Sequence, residues 1–181
     1  MIINKLFFLL GLILIITACS KKIENENLIK EKSLELQVLE TYKEGKDSLE
    51  KGDALFAAKK FNEAEILFPQ SSWAPKSALM AAYSYYIQDY YGDAIAELER
   101  FIRVYPKHKN LDYAYYLLAI SYYEQIVDEK KDLESIVNAK KTFNELIDRF
   151  PNTEYTLDAE FKLDLINDIL AAKEMYVGRY Y

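Results

Sequence analysis

Side chains that commonly carry enzyme chemistry are scarce in this sequence of 181 residues. It has one His, His108, and one Cys, Cys19. Zinc sites and Cys–His or Ser–His catalysis need several such residues close together. His108 lies in a basic segment, residues 106–110, without a Cys or Ser in a recognisable motif, so we interpret it as a solvated loop histidine. The sequence therefore predicts a protein that is not an enzyme and that has no metal site and no cofactor.

The charged residues do not form a recognisable site either. Asp and Glu number 29 against 23 Lys and Arg, a balance that argues against a nucleic-acid-binding protein. The carboxylates match no metal-binding loop and no paired acid/base spacing, and there is no glycine-rich phosphate loop. A run of charges on one segment indicates the solvated face of a helix. These charges are Glu97, Glu99, Arg100 and Arg103.

The N-terminus has the pattern of an export signal. Lys5 precedes an apolar run at residues 6–16, which small residues and Cys19 follow. This pattern predicts a signal peptide over residues 1–18. An uncleaved membrane anchor is the weaker alternative, because a spanning helix needs about 20 apolar residues. Residues 16–19, Ile-Thr-Ala-Cys, resemble a bacterial lipobox, in which the Cys is lipidated and becomes the mature N-terminus.

The residues that follow the apolar run suggest a destination and a tether. Ser20, rather than Asp, comes after Cys19, which favours export to the outer membrane over retention at the inner one. Residues 19–40 are rich in Lys and Glu and lack Gly and Pro. We expect them to form a lipidated N-terminus and a charged tether, with one repeat domain over residues 41–181.

An internal repeat is the strongest pattern in the chain. Small residues and prolines recur 37 residues apart, and a third set follows after a gap of 45. The spacing agrees with the tetratricopeptide pattern, in which paired helices approach closely at small residues and a Pro ends each pair. The expected packing positions are Gly45, Ala57, Ala82, Ala94, Ala119 and Ala139, and the prolines are Pro69, Pro106 and Pro151.

The repeat predicts an all-α protein, a tetratricopeptide-like helical solenoid of about three repeats plus a terminal helix. The third pair contains about eight extra residues between Tyr123 and Ala139, which we expect in a loop. A further helix is predicted to begin near Thr153. Its small position is occupied by Asp164, and its apolar pattern is Phe161, Leu165 and Ile169.

Tyrosine, with 16 copies, is the residue type on which a binding function could depend. Tyr has a large apolar ring and a polar tip, which suit a partly hydrated peptide site. If the first helix of each pair lines a groove, the repeat register assigns seven positions to it. The alternative is that these rings pack against the next repeat. The seven positions are Tyr42, Leu79, Tyr83, Tyr86, Tyr113, Tyr116 and Tyr123.

Several segments resemble the BamD family of outer-membrane β-barrel assembly lipoproteins. They include FPQSSWAPKSA at residues 68–78, RFIR at 100–103, LDYAYYL at 111–117, RFPNTEY at 149–155 and EMYVGRYY at 174–181. The resemblance implies a non-enzymatic lipoprotein on the periplasmic face of the outer membrane. It implies as partners a BamA-like barrel subunit, other lipoproteins of the assembly complex and unfolded outer-membrane proteins. The alternative is a tetratricopeptide scaffold lipoprotein of another envelope process, such as Tol–Pal or cell-wall synthesis.

The lipobox-like segment generates the first testable prediction. Replacing Cys19, the only Cys of the sequence, with Ala should abolish acyl-chain labelling. The protein should then be released from the membrane or mislocalised, because stable anchoring needs more than one acyl chain and the variant has no thiol to carry them. Metabolic labelling with a clickable fatty acid measures this directly. Labelling that survives the substitution would rule out Cys19 as the attachment site.

Overall fold

The structure is a computed structural model that describes residues 33–126 and 133–179, and all regular elements in these ranges are α-helices. The all-α fold predicted from the repeat is therefore confirmed. The expected signal peptide, Cys19 and the tether as far as residue 32 lie outside the described residues. The helices are α1 (Leu34–Glu50), α2 (Ala54–Leu67), α3 (Ala74–Tyr86), α4 (Tyr91–Val104), α5 (Leu111–Glu124), α6 (Leu133–Arg149) and α7 (Glu154–Gly178).

The helices stack in chain order. Each helix packs against the next, so that α1–α2, α3–α4 and α5–α6 form three pairs. The first helices also contact each other, α3 with α5 and α5 with α7. This connectivity places the first helices side by side in one layer, and their shared surface is where a groove can form.

Local sequence signals account for where the helices begin and end. Asp53 caps α2, because its side-chain oxygen accepts a hydrogen bond from the backbone N–H of Phe56 at 3.1 Å. Gly52, in the turn before it, has φ +84°, a left-handed conformation that favours glycine. The second helix of every pair ends shortly before a proline, which can neither donate a backbone hydrogen bond nor follow a helical turn without a clash.

The six expected packing positions are all buried. The tightest approach is at Gly45 in α1, where an added Cβ would lie 2.8 Å from Cε1 of Phe61 in α2. No side chain larger than hydrogen fits there unless the Phe61 ring moves. Phe61 and the corresponding residues of the later second helices, Leu98 and Phe143, are fully buried. A small residue on one helix therefore makes room for a large apolar one on its partner.

Helix α1 begins at Leu34, within the segment over residues 19–40 in which we expect a charged tether to pass into a helix. Ser33 caps α1 by accepting a hydrogen bond from the N–H of Leu36 at 3.3 Å, and Val38 is fully buried. Residues 34–40 are therefore part of the first helix. Part of the expected insertion in the third repeat, residues 127–132, lies outside the described residues. The rest extends α6, which has 17 residues against 14 in α4.

The apolar pattern predicted for the last helix is wrong at its first member. Phe161 is 62% exposed, whereas the residues that α7 buries are Thr156, Ala159 and Ile166. Asp164, at the expected small position, is exposed. Apolar residues occur on both sides of α7, so periodicity alone cannot show which side packs against α5 and α6.

The charged segment predicted to be a solvated helix face contributes instead to a partly buried network of hydrogen bonds. The guanidinium of Arg100 donates to both carboxylate oxygens of Glu65, at 2.8 and 2.6 Å, and also to Glu97. Tyr105 donates its hydroxyl to Glu65 at 2.7 Å, and Glu65 is buried. The hydrogen bond to Glu65 raises the pKa of Arg100. Glu99 and Arg103 are exposed, as predicted. A paired Arg–carboxylate contact fixes geometry because two parallel bonds must align.

The close packing generates the second prediction. Ala119 is completely buried in α5, so Ala119→Leu should lower the free energy of unfolding by about 1–3 kcal/mol through overpacking. This is a large share of the roughly 5–15 kcal/mol that stabilises a domain. Denaturant unfolding followed by circular dichroism measures it. The matched control is Ala96→Leu on the exposed side of α4, and equal curves for the two variants would contradict the prediction.

Candidate functional site

The layer of first helices contains an open cavity of about 450 Å³. Four of the seven groove positions expected from the sequence line it, namely Tyr42 of α1, Leu79 and Tyr83 of α3, and Tyr113 of α5. Three helices that are far apart in sequence therefore bring one apolar and three phenolic side chains to the same place.

Contacts on both sides hold the walls of this cavity. The Tyr42 ring lies 5.2 Å from the Phe61 ring and 5.0 Å from the Trp73 ring, both in tilted geometry. On the opposite wall, the Tyr113 ring lies 5.5 Å from the ring of Tyr155 in α7. Burial raises the pKa of Tyr113, so its hydroxyl stays protonated at neutral pH. The cavity thus has aromatic walls that are held by ring contacts on both sides.

The other three expected groove residues lie outside the cavity lining. Tyr86 packs its ring at 5.8 Å from Tyr91. Tyr116 stacks on Tyr155 at 5.1 Å and donates its hydroxyl to Asp158 at 2.9 Å. The Tyr86 contact joins α3 to α4, whereas the Tyr116 contacts attach α5 to α7.

Tyr123 is also engaged by the last helix. The ammonium nitrogen of Lys162 in α7 lies 4.6 Å from the centre of the Tyr123 ring, within the range of a cation–π contact. All seven positions lie on the first helices α1, α3 and α5. The repeat register does not show that α7 covers the α5 rings at this end, because the contacts join residues far apart in sequence.

Basic residues that the repeat register does not predict also border the cavity. Lys76 and Lys109 line it together with His108. The Lys76 ammonium lies 4.5 Å from the centre of the Trp73 ring. The only available signal was their location, since Lys109 and His108 occupy the turn that precedes a first helix.

His108 is not the solvated loop residue that we expected. It is partly buried, and its ring meets the Phe101 ring edge-on at 5.5 Å. Its Nδ1 accepts a hydrogen bond from the backbone N–H of Asn110 at 3.3 Å. Burial, followed by the charges of Lys109 and Lys76, lowers the pKa of His108. The imidazole is therefore neutral at pH 7, and the charge of this border comes from the two lysines.

A second cavity of about 390 Å³ adjoins the first. The two share Lys109, Asn110 and Tyr113, and the second adds Asp112, Glu154 and Tyr155. We call the two neighbouring cavities together the tyrosine groove, which extends from Tyr42 in α1 to Tyr155 in α7.

The chemistry that the groove offers is noncovalent binding. Its rings can stack, its phenols can donate hydrogen bonds, and its charges can pair with ligand groups. Within residues 33–126 and 133–179, no three His, Cys, Asp or Glu side chains are grouped so that they could hold a metal ion. In the same ranges, no helix has the length and apolar character needed to cross a bilayer.

The fold defines the class of this protein as a tetratricopeptide-repeat solenoid. Among solved structures, the chain is similar to the first TPR of Spaghetti (RPAP3) bound to HSP90 peptide SRMEEVD, with a TM-score of 0.57 and 16% identity over 75% of this chain and 94% of that one. An NMR structure of the first TPR domain of human RPAP3 gives a TM-score of 0.56 and 18% identity, covering 76% and 94%. At these identities the likeness concerns the fold alone.

Sequence comparison defines the family. The family model YfiO, described as an outer membrane lipoprotein, matches residues 35–181. The outer membrane protein assembly factors BamD of Caulobacter vibrioides and Rickettsia prowazekii are 39% and 35% identical to the chain, covering 92% and 93% of it. The chain belongs to the YfiO/BamD family of outer membrane protein assembly factors. It spans 53% and 64% of the length of these two relatives.

The contact between α5 and α7 generates the third prediction. Tyr116→Phe keeps the ring that stacks on Tyr155 but removes the hydrogen bond to Asp158, so the free energy of unfolding should fall by about 1 kcal/mol. Burial, followed by this bond, raises the pKa of Tyr116. The bond is therefore present at neutral pH and is lost only as the pH rises through that pKa. The matched control is Tyr90→Phe, which changes an exposed tyrosine. An equal effect of both substitutions on the free energy of unfolding would contradict a stabilising role of the Tyr116–Asp158 hydrogen bond.

Proposed function

We propose that this chain is a non-enzymatic lipoprotein that helps to assemble β-barrel proteins into the outer membrane. In this proposal Cys19 carries the lipid that holds the protein on the periplasmic face of that membrane. The repeat domain acts as a scaffold beside a BamA-like barrel subunit and other lipoproteins of the complex. The tyrosine groove receives extended segments of unfolded outer-membrane proteins.

The observation that carries the proposal is the groove itself. An open cavity of about 450 Å³ with Tyr42, Tyr83 and Tyr113 on its walls suits a chain that presents aromatic side chains. Strands of outer-membrane barrels alternate apolar and polar residues and have aromatic girdles at both membrane interfaces. Such a strand, before it folds, presents rings on one side that can pack between these tyrosines.

Two comparisons support the proposal. The relatives from Caulobacter vibrioides and Rickettsia prowazekii are named outer membrane protein assembly factors, and we extend that role to this chain. The RPAP3 domain, which has the same fold, is described as bound to a peptide, which shows that paired helices of this kind can present a peptide site.

Removal of one groove ring tests the binding role. Tyr83→Ala should weaken the binding of a peptide copied from the terminal strand of an outer-membrane barrel by about two- to tenfold, because an aromatic pair contributes about 0.5–1.5 kcal/mol beyond area burial. Fluorescence anisotropy with the full chain in detergent measures the affinity.

The control for this experiment is Tyr90→Ala, which removes an exposed ring that lies outside both cavities. Circular dichroism shows whether each variant keeps its helices. Equal affinities of the wild type, Tyr83→Ala and Tyr90→Ala would show that the groove ring takes no part in binding.

A further inference from the structure

The two halves of the tyrosine groove carry opposite charge. The first cavity is bordered by two cations, Lys76 and Lys109, and by no carboxylate. The second is bordered by Asp112 and Glu154, with Lys109 at the boundary between them. Tyr113 lines both cavities and separates the basic part from the acidic part.

The cations of the first cavity remain available for a ligand. Among the described residues, no carboxylate oxygen lies within 4.0 Å of the ammonium nitrogen of Lys76 or of Lys109. The neighbouring His108 has a lowered pKa and adds no charge at neutral pH. An anionic group that enters this cavity therefore meets two positive charges against an aromatic wall, where partial exclusion of water strengthens their attraction.

The acidic cavity has the opposite preference. One oxygen of Asp112 accepts the backbone N–H of Tyr113 at 2.8 Å, which holds the carboxylate at the start of α5. Glu154 begins α7 and is exposed. A cationic group of a ligand that passes Tyr113 would reach these two carboxylates.

We propose that the tyrosine groove binds an extended polypeptide segment in one orientation, with an acidic side chain in the basic cavity, an aromatic side chain beside Tyr113 and a basic side chain in the acidic cavity. This rests on the proposed function, since it specifies the segment that the groove receives. In an extended chain, residues two apart lie on the same side. An acidic, an aromatic and a basic residue at every second position therefore point into the groove together.

The occupant is an internal stretch of chain and not a chain end. The basic and the acidic cavities are neighbours, because both are lined by Lys109, Asn110 and Tyr113. In this proposal, a segment whose carboxylate lies beside Lys76 continues past Tyr113 into the acidic cavity. The charges of the groove are complementary to those of the bound segment along the length of the segment, so added salt should weaken binding.

Blocked peptides test the proposal with the full chain in detergent. Four fluorescent peptides share a central Phe and have acetylated and amidated ends. The peptides differ at two positions, the second residue before the Phe and the second residue after it. Each peptide is named by these two residues in order, as Asp/Lys, Lys/Lys, Asp/Asp or Ser/Ser. The Asp/Lys peptide should bind about tenfold more tightly than the Ser/Ser peptide, and added salt should reduce the difference.

Variants of the protein assign the charges to their cavities. Lys76→Glu should weaken the Asp/Lys peptide about tenfold and strengthen the Lys/Lys peptide. Glu154→Gln should weaken the Asp/Lys peptide and strengthen the Asp/Asp peptide, because it removes a negative charge that repels the second Asp. The matched control is Lys59→Glu, which reverses an exposed charge on α2 outside both cavities, and circular dichroism checks that all variants are folded.

Each other outcome overturns a defined part of the proposal. If the Asp/Lys and Ser/Ser peptides bind equally well to the wild type, the polarity of the groove is overturned and the aromatic binding role stands. If none of the four binds, the proposed receiving function fails with it. If a Ser/Ser peptide with a free carboxyl end binds as tightly as the blocked Asp/Lys peptide, the groove recognises the carboxylate of a chain end. The proposal that the occupant is an internal segment is then overturned.

Discussion

The constraint on which the structure depends is the close approach of two helices at a small residue. At Gly45 an added Cβ would lie 2.8 Å from the Phe61 ring, and in the later pairs buried alanines occupy the corresponding first-helix positions. When one helix contributes no bulk, its partner can bury a large apolar side chain, and the pair gains the dispersion and hydrophobic energy of a dense core. The interhelical distance set in this way repeats along the chain and aligns the first helices in one layer.

The groove is a consequence of that layer. Side chains on the free side of α1, α3 and α5 cannot all be buried, and the chain places Tyr there, whose ring packs while its hydroxyl remains hydrated. Tyr42, Tyr83 and Tyr113 line a cavity, whereas Tyr116 instead supports α7 through Tyr155 and Asp158. The same residue type thus lines a cavity at Tyr113 and packs against α7 at Tyr116, although both lie on α5.

Electrostatics adds direction to a surface that is otherwise aromatic. The turn before α5 supplies Lys109, and α3 supplies Lys76, whereas Asp112 and Glu154 lie at the starts of α5 and α7. Acidic residues favour helix N-termini because of the helix dipole, which accounts for Asp112 and Glu154 as local features. Their combination with the lysines into a polarised groove arises only when the repeats stack.

The helical fold, the repeat register and the small positions can be predicted from the sequence, because the spacing of small residues, rings and prolines encodes how neighbouring helices pack. Features that join distant segments depend on how the helices come together in three dimensions. The Arg100–Glu65 pair links residues 35 positions apart, and Phe161 points outward on a helix with apolar residues on both sides. His108 and the two lysines joined the groove for the same reason. Periodicity describes one helix at a time, whereas the identity of the neighbour that covers each face is set by the stacking of whole repeats.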